Sequence, residues 1–371
     1  MKIVDVEIIM LANPDVLQRS DGSQDTAVIL VRTDEGITGI GEADSSPWVI
    51  KAIIEAKTSH PICRGLKEIV IGEDPFEISR IWEKMYYGTL HYGRRGAALH
   101  AMSGIDLALW DIMGKATGKP VYQLLGACYR KEIRAYASSL FGVSLKETGK
   151  MARNYVDQGF TAVKFGWEPL GKDPDNDVAL VKEIRKAVGD DVDVMIDAGL
   201  VWDSKTALQM AKRFSEYNIY WLEEPLHPDD LDGYARLSQA TDVRIAAGEQ
   251  ESSRYSFLDL MDRGKIDIVQ VDVTRCGGLT EAMRIAQLAA DRHRPVVNHS
   301  FTSGINLAAS LHFSAALANA FILEYCVSQS PLRKKLTKQT FEAVNGMVKV
   351  PEEPGLGVEL DENTVARFRI A

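Results

Sequence analysis

Between Val194 and His299, five short apolar runs each end in an acid or a histidine. They read VMIDAG with Asp197, WLEEP with Glu223, IAAGE with Glu249, IVQVDVTRCGG with Asp272, and PVVNHS with His299. Successive ends lie about 25 residues apart, close to the ~30 residues that one strand, tip, helix and return occupy in a (β/α)8 barrel. In that fold the tips of the parallel strands open on one face, so residues distant in sequence converge there. Three carboxylates on three consecutive tips form a site for a hard divalent cation. An aspartate and a histidine on the next two tips read as an oriented base.

The rest of the barrel follows from the same alternation. IRAYAS, TAVKFG and FILEYC complete a set of eight strand candidates. Helical patterns such as NDVALVKEIRKAVG, SKTALQMAKRFSEYN and LTEAMRIAQLAADR lie between strands. A doubly wound open sheet shares this alternation, but eight units without a GxGxxG loop favour the closed barrel. Residues 1 to about 55 alternate as β structure, with a turn at Asp34-Glu35-Gly36. The stretch from Trp48 to about Gly118 is helical, with Ile105, Leu109, Ile112 and Met113 at helical spacing. The expected organisation is an α+β domain over residues 1–125, completed by about 355–371, and a (β/α)8 TIM-type barrel over 126–354.

The chain of 371 residues is 46% hydrophobic and 26% charged, ordinary for a water-soluble fold. A formal net charge of -9 disfavours a general nucleic-acid binder. Cys63, Cys128, Cys276 and Cys326 form no CxxC pair, which fits a reducing cytoplasm. No window approaches 18 uncharged apolar residues, so no membrane span is expected.

Taken in order, SGIDLALWDIMGKATGKPVYQLLG, WLEEP, AAGE, DVTRCGG and PGLGVEL resemble recurring segments of the enolase superfamily, in its mandelate-racemase-like subgroup. The resemblance covers nearly the whole chain. It implies a capping domain over a modified barrel, and a Mg2+ ion that stabilises the enediolate formed when a base removes the proton α to a carboxylate. Carried over, Asp197, Glu223 and Glu249 match the metal ligands, and Asp272 and His299 the catalytic dyad. Glu324 matches the eighth-strand acid that hydrogen-bonds the substrate carboxylate, and Lys164 one lysine of the second-strand KxK. Two departures stand out. KxK reads Lys164-Phe165-Gly166. Counted from Gly159-Phe160, Lys164 takes the first position; aligned on Phe165-Gly166-Trp167, it takes the second. The common Asp-x-Asn reads Asp197-Ala198-Gly199. Both changes are expected to enlarge the pocket.

Lys164 on an apolar strand needs a partner, since a buried unpaired ammonium is costly; it reads as a base or as an electrostatic partner of the substrate. Strand alternation points Glu224 away from Glu223, toward a structural salt bridge. His312 reads as a structural histidine in a helix, and His227 as a loop or rim residue. Polar capping loops should read the substrate, through Arg19, Asp21 and Trp48, with His91 and Arg94 as further candidates. The expected activity is dehydration of a sugar acid, aldonate or aldarate, to a 2-keto-3-deoxy acid. Alternatives are a racemase, epimerase or cycloisomerase on the same scaffold, or an inactive barrel acting as a binding protein. The partner is a small-molecule carboxylate, and the protein is expected to be a cytoplasmic homo-oligomer.

Overall fold

The computed structural model describes residues 1–15 and 21–370. Strands β1 (Ile3–Ala12), β2 (Asp25–Thr33) and β3 (Thr38–Ala43) form an antiparallel sheet in the order β1-β2-β3. The sheet packs on the helix Ala97–Thr117, whose apolar face joins Ile8, Met10, Ile29 and Val31 in one core. Gly118 ends that helix in the left-handed conformation, as expected of a glycine C-cap.

Eight parallel strands follow: β4 (Glu132–Leu140), β5 (Ala162–Gly166), β6 (Asp193–Asp197), β7 (Ile219–Glu223), β8 (Arg244–Ala247), β9 (Ile268–Val271), β10 (Val296–Asn298) and β11 (Leu323–Cys326). They pair in sequence order from β4 to β10, and β11 returns to β4. The seam between β10 and β11 is closed by a Val296–Ala320 bridge and by the Glu324 amide, which donates to Asn298 Oδ1 at 2.9 Å. This is a (β/α)8 barrel beneath an N-terminal α+β capping domain.

The strands alternate as their sequences require. Tyr136, Ala162, Met195, Trp221, Ala246, Ile268, Val297 and Ile322 fill the barrel floor, while their neighbours along each strand pack outward against the helices. The helix Ser204–Ser215 shows the complementary pattern. It buries Ala207, Met210, Ala211 and Phe214 at i, i+3, i+4 and i+7, and its N-cap Asp203 accepts from the Lys205 and Thr206 amides.

Buried polar residues fix the cap on the barrel. Glu42 at the end of β3 accepts from Thr26 Oγ1 (2.6 Å), Ser303 Oγ (2.7 Å) and the Asn306 amide (2.8 Å). Asp106 accepts from the Thr280 amide at 3.0 Å, and Trp82 Nε1 donates to the Gly277 carbonyl at 2.8 Å. A last short strand, β12 (Met347–Lys349), pairs antiparallel with β4. The chain then returns to the first sheet, where the Ile370 amide donates to the Met10 carbonyl at 3.0 Å. No helix among the described residues is long and apolar enough to cross a membrane.

Candidate active site

Strand register puts the acids at one level. Gly166 faces Asp197, Asp197 faces Glu223, and Glu223 faces Ala246 across successive strands. Glu249 lies beyond the end of β8, brought back by Gly248, whose φ is +139°. A Cβ at Gly248 would sit 2.3 Å from the Gln270 carbonyl oxygen, so the turn requires glycine. Asp197, Glu223 and Glu249 thereby bring ligand oxygens within 4.8 Å of one another. All three are buried. Burial and the adjacent Glu223 carboxylate push Asp197 far above the usual carboxylate range. Trp221 Nε1, rising from the floor, donates to Glu223 Oε2 at 2.9 Å. A buried set of three carboxylates with oxygen-only donors fits a hard dication, whose charge offsets their mutual repulsion.

Beside this triad stands the His299–Asp272 pair. Thr274 fixes Asp272 by donating its amide (2.6 Å) and hydroxyl (2.5 Å) to Oδ1. Asp272 Oδ2 accepts from His299 Nδ1 at 2.6 Å. A carboxylate only accepts, so Nδ1 carries the proton and Nε2 faces Glu249 Oε2 at 3.2 Å. Burial alone would lower His299; the carboxylates of Glu249, Glu324 and Asp272 outweigh it and raise it to about 10.

Lys164 lies deeper, level with Met195 on β6. Its ammonium pairs with Glu223 and with Glu324 Oε1, the latter at 2.7 Å. These carboxylates overcome burial and hold Lys164 well above its usual value. Glu324 in turn accepts from Ser138 Oγ (2.8 Å) and the Ser300 amide (2.7 Å). Burial would raise it, but Lys164 and His299 bring it to about 2.

Several expectations need correction. Glu224 forms no salt bridge among the described residues. Alternation stops at Glu223, φ is +39° at Glu224, and its Oε1 accepts from the Gly248 amide at 3.1 Å. It supports the turn that delivers Glu249. The glycines at 166 and 199 do not open space either. A Cβ at Gly166 would lie 2.5 Å from Asp197 Cβ, and one at Gly199 3.0 Å from the Trp167 ring. Asp197 and Trp167 occupy what larger side chains would have filled.

The cap covers these groups with a cavity of about 570 Å³, within the range of small-molecule sites. Asp21 lines it, with Oδ1 held by the Ser23 amide and hydroxyl. Arg19 lies outside the described residues. Trp48 does not line the cavity; it lies in the first turn of the helix Pro47–Glu55, which buries Pro47, Ile50 and Ile54, and is 57% exposed. Replacing Trp48 with alanine should therefore leave kcat/KM within about twofold for every substrate, as expected for an exposed residue off the site. A selectivity change in steady-state assays would return it to the site. His91 packs edge-on against His60, and neither it nor Arg94 lines the cavity. His227 is exposed on its loop, whereas His312 is buried and stacked on Tyr122.

The structure adds residues that local sequence signals did not mark. Arg275 Nε donates to Asp44 Oδ2 at 2.8 Å, and Nη1 to the Glu249 carbonyl at 3.1 Å. Asp44 comes from the cap and Arg275 from the loop after β9, 231 positions apart, so no spacing rule could pair them. His100 enters from the helix Ala97–Thr117 and lines the same cavity. Burial and Arg275 lower it to about 4, which keeps its ring neutral.

Comparison with known proteins agrees with this geometry. The "Mandelate racemase / muconate lactonizing enzyme, N-terminal domain" family matches residues 3–126, and "Enolase C-terminal domain-like" matches 147–364. An arabinonate dehydratase of Saccharolobus solfataricus is 36% identical over 345 residues, covering 91% of this chain and 89% of that protein. A D-galactarolactone cycloisomerase of Agrobacterium fabrum is 32% identical, covering 92% and 91%. The crystal structure of a 3,6-anhydro-D-galactonate cycloisomerase from Zobellia galactanivorans superposes with a TM-score of 0.91 at 32% identity, over the whole of both chains.

Proposed function

Because the chain belongs to the enolase superfamily, in its mandelate-racemase-like subgroup, we propose that it removes the proton α to a carboxylate and dehydrates a sugar acid to a 2-keto-3-deoxy acid. The observation that carries this reading is a cavity with one oriented base. His299 is held by Asp272, while the other amine, Lys164, is tied to Glu223 and Glu324. Racemisation needs proton carriers on both faces of the α-carbon. The place next along β5 is Gly166, which carries no proton, and the neutral His100 is a weak acceptor. We read Lys164 as the first KxK position, since it lies one layer below the level of Asp197.

Asp197, Glu223 and Glu249 would hold Mg2+ rather than zinc, which prefers nitrogen and sulfur ligands. The bound ion would offset charge on the substrate carboxylate as the enediolate forms, and would engage the Glu249 carboxylate that otherwise raises His299. Lys164 stays protonated and balances negative charge at the floor. Glu324, held by Ser138 and Ser300, would be the acid that meets the substrate carboxyl group, as the family resemblance implies. His299 Nε2 takes the C2 proton and returns it to the 3-hydroxyl, which leaves as water; the resulting enol tautomerises to the 2-keto acid. Arabinonate, D-xylonate, D-gluconate and D-galactonate dehydratases among the relatives support this choice. The cycloisomerase relatives keep an isomerase as the second reading. Four unpaired cysteines suit a reducing cytoplasm.

The test is a screen of acid sugars with Mg2+, read as 2-keto acid formation. Keto acid from at least one of them is expected. A C2 epimer or a lactone rearrangement without keto acid would replace dehydration with the second reading.

A further inference from the structure

The cavity has two electrically different ends. Its floor carries Lys164 and the proposed cation ligands, where a bound dication would supply positive charge to a substrate carboxylate. Its roof is built from the edge of the cap sheet: Asn13 after β1, Asp21 and Gln24 before β2, Asp25 at its start, and Asp44 and Ser45 after β3. Three of these six are carboxylates. Among the described lining residues, six are acids and only Lys164 and Arg275 are permanent cations. Both cations are taken. Lys164 lies between Glu223 and Glu324, and Arg275 between Asp44 and the Glu249 backbone. Burial and the nearby Asp44 raise Asp25, as crowded negative charge does.

We propose that Asp21, Asp25 and Asp44 make this cavity select acids with a single carboxylate, bound with the carboxylate at the barrel floor and the hydroxyl-bearing tail against the cap. This deepens the dehydratase reading and rests on it for where the carboxylate lies. Ionised carboxylates only accept hydrogen bonds, so a row of them suits a chain of hydroxyl donors. A second carboxylate at the far end meets like charge with no described cation free to receive it, and such juxtaposition disfavours binding strongly. Of the three, Asp25 is the cleanest handle: Asp44 is ion-paired to Arg275 and Asp21 orders its own loop through Ser23.

The experiment compares acids that differ only at C6, such as D-gluconate with D-glucarate and D-galactonate with galactarate. Turnover is measured with Mg2+, and binding to the Mg2+-loaded protein by calorimetry. The monocarboxylates should be favoured about a hundredfold or more in kcat/KM or affinity. In Asp25→Asn that ratio should shrink about tenfold, through a gain for the diacids. Diacids used or bound within a few-fold of their partners overturn the selectivity and leave dehydration standing. Tight monocarboxylate binding without turnover upholds the selectivity while dehydration falls. Binding of neither class overturns the selectivity and leaves dehydration to be decided by the wider acid-sugar screen. An unchanged ratio in both Asp25→Asn and Asp21→Asn, with both folded by circular dichroism, removes the cap acids from the explanation.

Discussion

Stripping divalent cations with EDTA should abolish turnover, and Mg2+ should restore it. The expectation rests on charge. Asp197, Glu223 and Glu249 are buried with their ligand oxygens within 4.8 Å of one another, and the one ammonium in contact among the described residues, Lys164, is shared with Glu324. The carbanion step adds further negative charge at the same place, and positioned positive charge in such a site is worth several kcal/mol. The fall on removing the cation should be at least about a thousandfold, since each 1.36 kcal/mol is tenfold in rate. Two readouts are independent of activity. Trp221 donates to Glu223, so its fluorescence should change on titration with Mg2+. The unfolding temperature should rise with Mg2+ concentration, because a ligand that binds only the folded state stabilises it. Glu249→Gln should weaken both responses by about an order of magnitude or more while leaving the fold intact, since Glu249 sits on a turn outside the strands. Full activity in demonstrably metal-free protein would end the assignment of this triad.

The polar residues at strand tips were legible because their signal is local. A strand announces itself over four to eight residues, and an acid directly after it has few places to go in a barrel. Asp197, Glu223, Glu249, Asp272 and His299 read this way, and Glu324 by family resemblance, and the structure brings them together. The roof was legible only at Asp21, which lines it. Its residues come from a different sheet, and no periodicity in Asp44-Ser45-Ser46-Pro47-Trp48 tells which side chain turns inward; Asp44 does and Trp48 does not. Glu224 failed for a different reason. Alternation predicts direction only while φ stays extended, and at Glu224 φ turns positive while its carboxylate accepts from the Gly248 amide on the next strand's turn. The glycines at 166 and 199 show the same limit, because a missing side chain makes a cavity only if nothing else moves in.

His299→Asn should lose dehydration and, with it, exchange of the C2 proton with solvent deuterium. Asparagine approximates the donor at Nδ1 but offers no basic nitrogen in place of Nε2, so Asp272 keeps a partner while the proton acceptor is gone. A positioned general base contributes about 10² to 10⁴ in rate, and here the same group also serves as the acid, so the loss should lie at the upper end of that range. Lys164→Ala makes the contrasting measurement. It leaves Glu223 and Glu324 buried without their shared ammonium, and breaking such a pair destabilises by about 3–5 kcal/mol, so thermal unfolding is followed alongside kinetics. A dication bound at the triad would offset part of that cost at Glu223. If Lys164 only balances charge, the folded variant turns over slowly yet still exchanges the C2 proton, because His299 and Asp272 are intact. Exchange read by proton NMR in deuterated buffer then separates the roles: retained in Lys164→Ala and absent in His299→Asn, it assigns the single base to His299. The opposite pattern would make Lys164 the base in spite of its two carboxylate partners, and would bring back a two-sided, racemase-type chemistry for the cavity.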